Sequence, residues 1–150
     1  MKFSPSDENF VERITTSFHK QGIMGTIGAK LVKVAPGEVQ IEFPYNQAFT
    51  QQHGFLHAGV MTTVVDSACG YCASTLMPSD SEVLTIEYKA NFIAPGAGKE
   101  FLAIGRVVKP GRTITTCQGE VLAKDEKTGE YKTIIIMQAT MMTVSTSIRK

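Results

Sequence analysis

The spacing of apolar residues predicts a helix near the start of the chain. Apolar side chains recur at helical intervals at Phe10, Val11, Ile14 and Phe18. Ser4 and Pro5 suit the first positions of this helix, and Asp7 stands where a capping-box acid belongs. Gly22 suits its end, so we predict a helix over about residues 4–21.

Alternating apolar and polar positions predict two groups of strands. Residues 27–34 are predicted to form the first strand, and Pro36 and Gly37 suit the central positions of a type II turn. The alternation resumes over residues 38–43, which predicts a hairpin. Four long strands are predicted in the second half of the chain: Glu82–Phe92, Phe101–Lys109, Arg112–Lys124 and Glu130–Val144.

The stretch between these groups predicts a long, mostly buried helix from His57 to Thr75. Apolar residues fall four apart along it, at Val60, Val64, Ala68 and Cys72. The element order is then α-β-β-α-β-β-β-β, and we expect an α+β fold in which a long antiparallel sheet wraps around this central helix. A chain of 150 residues fits a single domain, residues 1–150, with its core over about 27–144.

Composition restricts the partners of the chain. Fifteen Lys and Arg against fourteen Asp and Glu give a net charge of +1, which argues against nucleic acid or a membrane as a partner. No apolar run approaches the roughly 18–20 residues of a membrane span, and the first residues show no signal-peptide core. Three cysteines without a disulfide-scaffold spacing favour a reduced, cytoplasmic protein.

The start of the central helix, at His57, Ala58 and Gly59, is the first candidate site. The N–H groups of Ala58 and Gly59 lack intrahelical partners and lie at the positive end of the helix dipole. These two small residues leave room for a ligand, such as a carbonyl oxygen that becomes an oxyanion during acyl transfer. A tightly packed helix start that binds nothing explains the same residues equally well.

Asp66 is the second candidate, because it lies within an apolar helix and among small residues: Gly59, Thr62, Gly70 and Ala73. That setting implies the close approach of a ligand or another backbone, although a solvated structural Asp also fits. Nine residues separate it from His57, which is about 13 Å along the axis and on the opposite face. If the two act together, the site must be shared between two copies of the chain.

Two further motifs have weaker functional interpretations. The CxxC match Cys69–Cys72 lies in the middle of a helix, whereas redox pairs work at a helix N-terminus, so buried small residues explain it better. Arg112 could reach a phosphate from its turn between strands, but a lone Arg there is usually solvated. The sequence carries no phosphate-loop, dinucleotide or zinc-protease motif, and we predict neither a metal nor a cofactor.

The motif from Gln51 to Asp66 resembles that of the PaaI-like hotdog-fold acyl-CoA thioesterases, and the resemblance covers about residues 38–144. Related enzymes carry Asn or Gln six residues before the His of an HGG motif, and an acid nine residues after that His. Gln51, His57 and Asp66 keep both spacings. Ala58 stands where the family has glycine, which changes the room at this position and keeps the backbone N–H.

The resemblance implies a catalytic role for five residues. The Ala58 N–H would polarise the thioester carbonyl, and Asp66 of a partner chain would act as general base on water or as the nucleophile. Gln51 would position the water or the carbonyl, and His57 would orient its loop. Thr85 would lie near the carboxylate, on a strand face that we expect it to share with Val83, Glu87, Lys89 and Asn91.

The resemblance also implies how an acyl-CoA substrate would bind. Asn91 and Phe92 begin a segment similar to one that lines the pantetheine channel, and Gly111, Arg112 and Thr113 resemble a turn that touches CoA phosphates. Gly59 would leave the helix start open to the substrate. Apolar residues favour a medium-chain fatty or aryl acyl group: Phe49, Phe55, Leu56 and Met61. The partner is a second copy, in a homodimer that pairs into a homotetramer.

Two other functions are compatible with the same fold. A 3-hydroxyacyl dehydratase pairs its catalytic His with an acid on the helix, commonly Glu, and with a Pro-rich segment after the His. This chain has neither the Glu nor that segment. A non-catalytic module that binds acyl-CoA or an acyl carrier would keep the fold without turnover. Asp66 argues against that module, because an unused carboxylate in this position costs stability.

Overall fold

The computed structural model of the chain describes residues 3–146, so the two ends of the predicted 1–150 domain lie outside it. The helices of this part are α1 (Phe10–Lys20), α2 (Gly22–Ile27) and α3 (Ala58–Ser74), with a short 3₁₀ turn at Gln47–Phe49. The strands are β1 (Lys30–Ala35), β2 (Glu38–Pro44), β3 (Ser81–Phe92), β4 (Glu100–Lys109), β5 (Ile114–Lys124) and β6 (Tyr131–Ser145).

The six strands form one antiparallel sheet in the order β1-β2-β4-β5-β6-β3. The sheet wraps around α3, which packs against five of its strands. The predicted α+β hotdog architecture is therefore confirmed. With 17 residues α3 is the longest helix, and none of the helices within residues 3–146 is long and apolar enough to cross a membrane.

Two glycines let α3 lie directly against the centre of the sheet. A Cβ on Gly105 of β4 would overlap the Ala68 carbonyl of the helix, and one on Gly119 of β5 would lie 2.7 Å from Val65 and 2.8 Å from Cys69. Because side chains at these positions would push the helix outward, the two glycines set the distance between α3 and the sheet.

The N-terminal helix predicted over about residues 4–21 begins later than expected and is followed by a second one. Asp7 accepts a hydrogen bond from the Asn9 N–H at 2.9 Å and pairs with Arg13, so the helix starts only at Phe10. Gly22 does not end the helical region. Extended backbone at Gln21 separates α1 from α2, and the left-handed Gly28, with φ of 78°, ends α2.

Arg13 fastens α1 to the end of α3. Its guanidinium donates to the Ser74 hydroxyl at 3.0 Å, to the Ser74 carbonyl at 3.1 Å and to the Met77 carbonyl at 3.2 Å. These carbonyls lie at the helix C-terminus, where backbone acceptors need partners and a cation is favourable. The bonds hold α1 against the C-terminal end of α3.

A β-bulge at Ile86 changes which side chains of β3 face the helix. The register pairs Thr85 with Met141 but Glu87 with Thr140, so one residue of β3 is unpaired. Cross-strand partners point to the same side of a sheet. Thr85 therefore faces α3 like the buried Met141, whereas Glu87 faces outward and accepts a hydrogen bond from Thr140.

The prediction that Thr85 shares its strand face with Glu87, Lys89 and Asn91 is therefore wrong. Those three residues follow the bulge and lie on the outer face, with Asn91 opposite the exposed Ile136. Phe92 lies opposite the buried Ile135 and is on the helix side. A bulge of one residue exchanges the two faces of the strand from that point onward.

Candidate active site

The start of α3 has one N–H group without a hydrogen-bond partner among residues 3–146. His57 is the N-cap, and its Nδ1 accepts a hydrogen bond from the Gly59 N–H at 2.9 Å. This bond requires an unprotonated Nδ1, so the proton of a neutral His57 ring is on Nε2. Ala58, in contrast, donates its N–H to no described residue. The expectation that both N–H groups are open therefore holds for Ala58 alone.

The loop before α3 leaves the Gln51 amide able to donate. Its backbone N–H donates to the Phe55 carbonyl at 2.9 Å, which closes a tight loop through the left-handed Gly54. The side-chain Oε1 accepts from the His53 N–H, so Nε2 is the free end of the amide and has no partner among residues 3–146. The His57 N–H donates to the Phe49 carbonyl at 2.9 Å, which ties this loop to the helix start.

The end of β3 lies beside the same helix start. The Leu56 N–H donates to the Gly96 carbonyl at 3.1 Å, so the segment after Phe92 runs next to the beginning of α3. Leu56 and Met61 are each only 2% exposed and belong to the core, and they do not form the apolar substrate surface suggested by the sequence. Phe55 is exposed.

Asp66 is half-buried in the middle of α3 and is held by Thr85. The Thr85 hydroxyl donates to Asp66 Oδ1 at 2.9 Å, and its oxygen also lies 3.5 Å from Met141 Sδ. Burial raises the pKa of the Asp66 carboxyl above its ordinary value, and the hydrogen bond from Thr85 opposes part of that rise. One carboxylate oxygen is therefore fixed, and the other is available for chemistry.

The two candidate sites do not share a cavity within one chain. Asp66 and Thr85 line a cavity of about 310 Å³ between α1, α3 and β3. Its walls include no residue of the segment 51–59, which carries the open N–H and the Gln51 amide. The helix separates His57 from Asp66 by about 13 Å, as its geometry requires.

The turn Gly111–Thr113 lies at the far end of the sheet from Ala58. The Gly37 N–H donates to the Thr75 hydroxyl at 2.7 Å, and the Val107 N–H donates to the Gly37 carbonyl at 2.8 Å. The end of β4 is therefore next to the C-terminus of α3. A Cβ on Gly111 would overlap the Ile114 carbonyl, so the tight turn that exposes Arg112 requires glycine.

Comparison with known proteins identifies the family. The model of the thioesterase superfamily matches residues 53–130, which include the start of α3, Asp66 and Thr85. The chain belongs to the thioesterase superfamily. A solved thioesterase family protein from Silicibacter pomeroyi is 44% identical to this chain, with a TM-score of 0.88 over 91% of this chain and 98% of that one.

More distant proteins are similar to the chain in fold or in sequence. The PaaI protein from the phenylacetic acid degradation operon of E. coli shares the fold at 15% identity, with a TM-score of 0.79 over 91% of this chain and 94% of its own. A protein of Saccharolobus solfataricus that is named as an esterase is 29% identical over 81% of this chain and 87% of its own. The resemblance to PaaI-like hotdog thioesterases is confirmed, and the chain is a thioester hydrolase.

The CxxC cysteines of this thioesterase face the core. Cys69, Cys72 and Cys117 are fully buried and free, with the sulfurs of Cys72 and Cys117 3.6 Å apart. Burial raises the pKa of the Cys69 and Cys72 thiols well above the ordinary value, so neither is a ready thiolate. No cluster of three or more metal-binding side chains occurs within residues 3–146.

Several residues of the cavity were not identified from the sequence, among them Ser17, Gln21 and Tyr71. Gln21 Nε2 donates to the Tyr71 hydroxyl at 2.7 Å, and that hydroxyl lies 3.2 Å from Ser17 Oγ. All three line the cavity that contains Asp66. A faint signal exists, because Ser17 and Gln21 are polar, four residues apart and on one face of the first helix. No short-range sequence pattern indicates that this helix face lies next to Asp66.

Proposed function

We propose that this thioesterase hydrolyses acyl-CoA at a site shared between two copies of the chain. One copy supplies the open Ala58 N–H at the start of its α3, and Asp66 of the partner subunit supplies the carboxylate. The observation that carries the proposal is the separation of these two groups. Each is available for chemistry, yet they lie about 12 Å apart along one helix and line no common cavity.

The two groups have complementary tasks in hydrolysis. The Ala58 N–H stabilises the oxyanion that forms when water adds to the thioester carbonyl, helped by the helix dipole. Asp66 of the partner subunit takes a proton from that water, and CoA leaves as the thiolate and recovers the proton. Direct attack by the carboxylate would instead give an anhydride that water then hydrolyses. The Thr85 hydroxyl orients the carboxylate in either route.

The loop residues would place the reactants. Gln51 Nε2 is free to donate to the carbonyl oxygen or to the water, because its Oε1 is held by the backbone. His57 acts indirectly, since its cap on the Gly59 N–H fixes the direction of the first helical turn. Gly59 has no side chain to block the approach of the thioester from solvent.

The remaining predicted residues would bind the CoA part of the substrate. Arg112, between Gly111 and Thr113, lies at the same end of its chain as the C-terminus of α3, so it would reach the nucleotide phosphates from the subunit that supplies Asp66. Phe92 would line the pantetheine path on the helix side. Asn91 would contribute its backbone, because its side chain is on the outer face.

The exposed surface of β3 supports a homodimer. This strand is an edge of the sheet, and its large apolar side chains are between 43% and 52% exposed: Leu84, Ile86, Tyr88 and Phe92. A long apolar edge strand is stable in solution when another chain covers it. A second pairing into a tetramer would cover the outer face, where Val108 and Ile136 are exposed. Three buried, unpaired cysteines fit a reducing, cytoplasmic location.

Release of CoA thiol from a panel of medium-chain and aryl acyl-CoAs tests the proposal. We expect turnover with at least one substrate, and Asp66→Asn should lower kcat by about 10²–10⁴-fold because Asn cannot take the proton. Asp80→Asn is the matched control, since this exposed side chain lies outside the cavity. Near wild-type kcat in Asp66→Asn would remove Asp66 from the mechanism. Binding without thiol release would favour the non-catalytic module.

A further inference from the structure

The cavity beside Asp66 continues along α3 to Gly70, one helical turn further on. That step is about 6 Å along the helix axis. Gly70 forms part of the floor, Val83 of β3 forms one wall, and Gln21, between α1 and α2, forms the other. The cavity volume of about 310 Å³ is at the lower end of the range for small-molecule sites.

Gly70 keeps this space open at a cost to the helix. Glycine is a poorer helix former than any residue except proline. The fold does not require it here, because a Cβ on Gly70 would meet only Val83 Cγ1, at an ordinary contact distance of 3.7 Å. Gly105 differs, since any side chain there would collide with the backbone of α3. Packing within the chain therefore does not require glycine at position 70, and the space above it is left open.

The wall opposite Val83 is polar, and its groups from Ser67, Gln21 and Tyr71 are bonded to one another, while the exposed Glu82 also lines the cavity. Ser67 Oγ donates to Gln21 Oε1 at 3.4 Å, and Gln21 Nε2 donates to the Tyr71 hydroxyl at 2.7 Å. Groups that are bonded to one another lose little when an apolar ligand displaces water from their surface. This wall can therefore face a hydrocarbon chain.

We propose that Gly70 and Gln21 are specificity-determining residues that limit the length of the acyl group. This inference rests on the proposed function, in which the thioester carbonyl lies at Asp66. The acyl chain then runs along α3 over Gly70 and ends against the Gln21 side chain. A short acyl group stops before Gly70, and a longer one fills the cavity.

A series of variants makes the cavity smaller or larger. Gly70→Ala, Gly70→Val and Gly70→Leu fill it in steps, and Gln21→Ala opens its far wall. The measurement is kcat/KM for straight-chain acyl-CoAs of increasing length. Gly70→Leu should lower kcat/KM for the longest accepted acyl group at least about 10-fold and change the shortest less than about 2-fold. Gln21→Ala should extend the range to longer acyl groups.

Stability and a matched glycine separate specificity from misfolding. Gly70→Ala should raise Tm by about 2–4 °C, because alanine is the better helix former. Gly25→Leu makes the same change in α2, where nothing lies within 4 Å of an added Cβ, and should leave the length profile as in the wild type.

An unchanged length profile in the Gly70 variants, or an equal loss with every acyl group, would overturn this inference. A weakened dimer with an unchanged profile would also overturn it and would assign the cavity to a segment of the partner subunit. The Asp66→Asn measurement decides the proposed function separately, because the length profile can be measured whichever residue acts as the base.

Discussion

At the scale of single residues, the raised pKa of Asp66 favours its proposed role as a base but is unfavourable for folding. Burial raises the pKa of its carboxyl, and Thr85 lowers it through a hydrogen bond of 2.9 Å. A raised pKa brings a general base closer to neutral pH, where proton transfer is efficient. For folding the effect is unfavourable. Because the pKa of this carboxyl is raised in the folded state, the free energy of unfolding of the protein falls as pH rises through that pKa.

Thr85→Val should move the acid limb of the pH–kcat profile to higher pH. In the proposed mechanism, activity is lost as pH falls because Asp66 becomes protonated. Removing the hydroxyl removes the group that lowers the pKa of Asp66, so protonation begins at higher pH. The measurement is kcat across the acid range, with the fold checked by circular dichroism at each pH.

Thr140→Val is the control for this change. It removes a similar hydroxyl-to-carboxylate bond, to Glu87 at 3.3 Å, on the outer face of the same sheet. Its acid limb should coincide with that of the wild type. An acid limb of Thr85→Val that stays in place, or moves to lower pH, would show that Thr85 does not set the pKa of Asp66 in the reaction.

At the scale of elements, the contact between α3 and the sheet positions the proposed active site. The helix rests on two glycines of the central strands, and both ends of it are tied down. Its C-terminus is bonded to Arg13 and to the β1–β2 turn, and its N-terminus adjoins the segment after β3. A shift of the helix would move Asp66 away from Thr85. The packing of α3 against the sheet therefore determines the position of the Asp66 carboxylate.

Gly105→Ala should destabilise the protein by about 1–3 kcal/mol, as overpacking of a filled core does. The added methyl group would overlap the Ala68 carbonyl, which belongs to the helix backbone and cannot rotate away. Chemical denaturation followed by circular dichroism measures the loss. Gly25→Ala is the matched control and should be neutral or stabilising by up to about 1 kcal/mol. Equal stability of Gly105→Ala and wild type would mean that α3 tolerates displacement.

At the scale of the whole molecule, one chain contains the parts of the proposed active site but does not bring them together. The Ala58 N–H and the Gln51 amide lie at one end of α3, and Asp66 lies in its middle beside a different cavity. A two-fold axis that places two α3 helices side by side would bring the start of each near Asp66 of the other subunit. The exposed apolar edge of β3 supplies the surface for that pairing.

Mixed dimers of two inactive variants test the shared site. Ala58→Pro removes the N–H at the first helical position, where proline is tolerated, and His57 already has the extended backbone that precedes proline, with ψ of 138°. Asp66→Asn removes the base. Co-refolding equal amounts makes about half of the dimers mixed, and each mixed dimer has one intact site, so about a quarter of wild-type activity should return.

The controls for this experiment are the two variants refolded alone, which should be inactive and dimeric. Mass spectrometry should confirm that mixed dimers form. If activity stays near zero in confirmed mixed dimers, both groups of each site come from the same chain, and the shared-site model is wrong.

Much of the architecture follows from local patterns in the sequence. The helix predicted over His57–Thr75 matches α3 to within a residue at each end, and the four long strands match to within two. Periodicity and turn residues report which faces are buried, and that information is local. The spacing of Gln51, His57 and Asp66 likewise identifies the family, because the motif is confined to one loop and one helix.

The tertiary structure alone decided the contacts between distant segments. The bulge at Ile86 turns Asn91 to the outer face, while Thr85 stays on the helix side and bonds to Asp66, although simple alternation assigns Thr85 and Asn91 to one face. Gln21 reaches Ser67, 46 residues away, because α1 docks on α3. Such contacts depend on how whole elements pack and pair, a property of the assembled core that short-range patterns of polar and apolar residues do not encode.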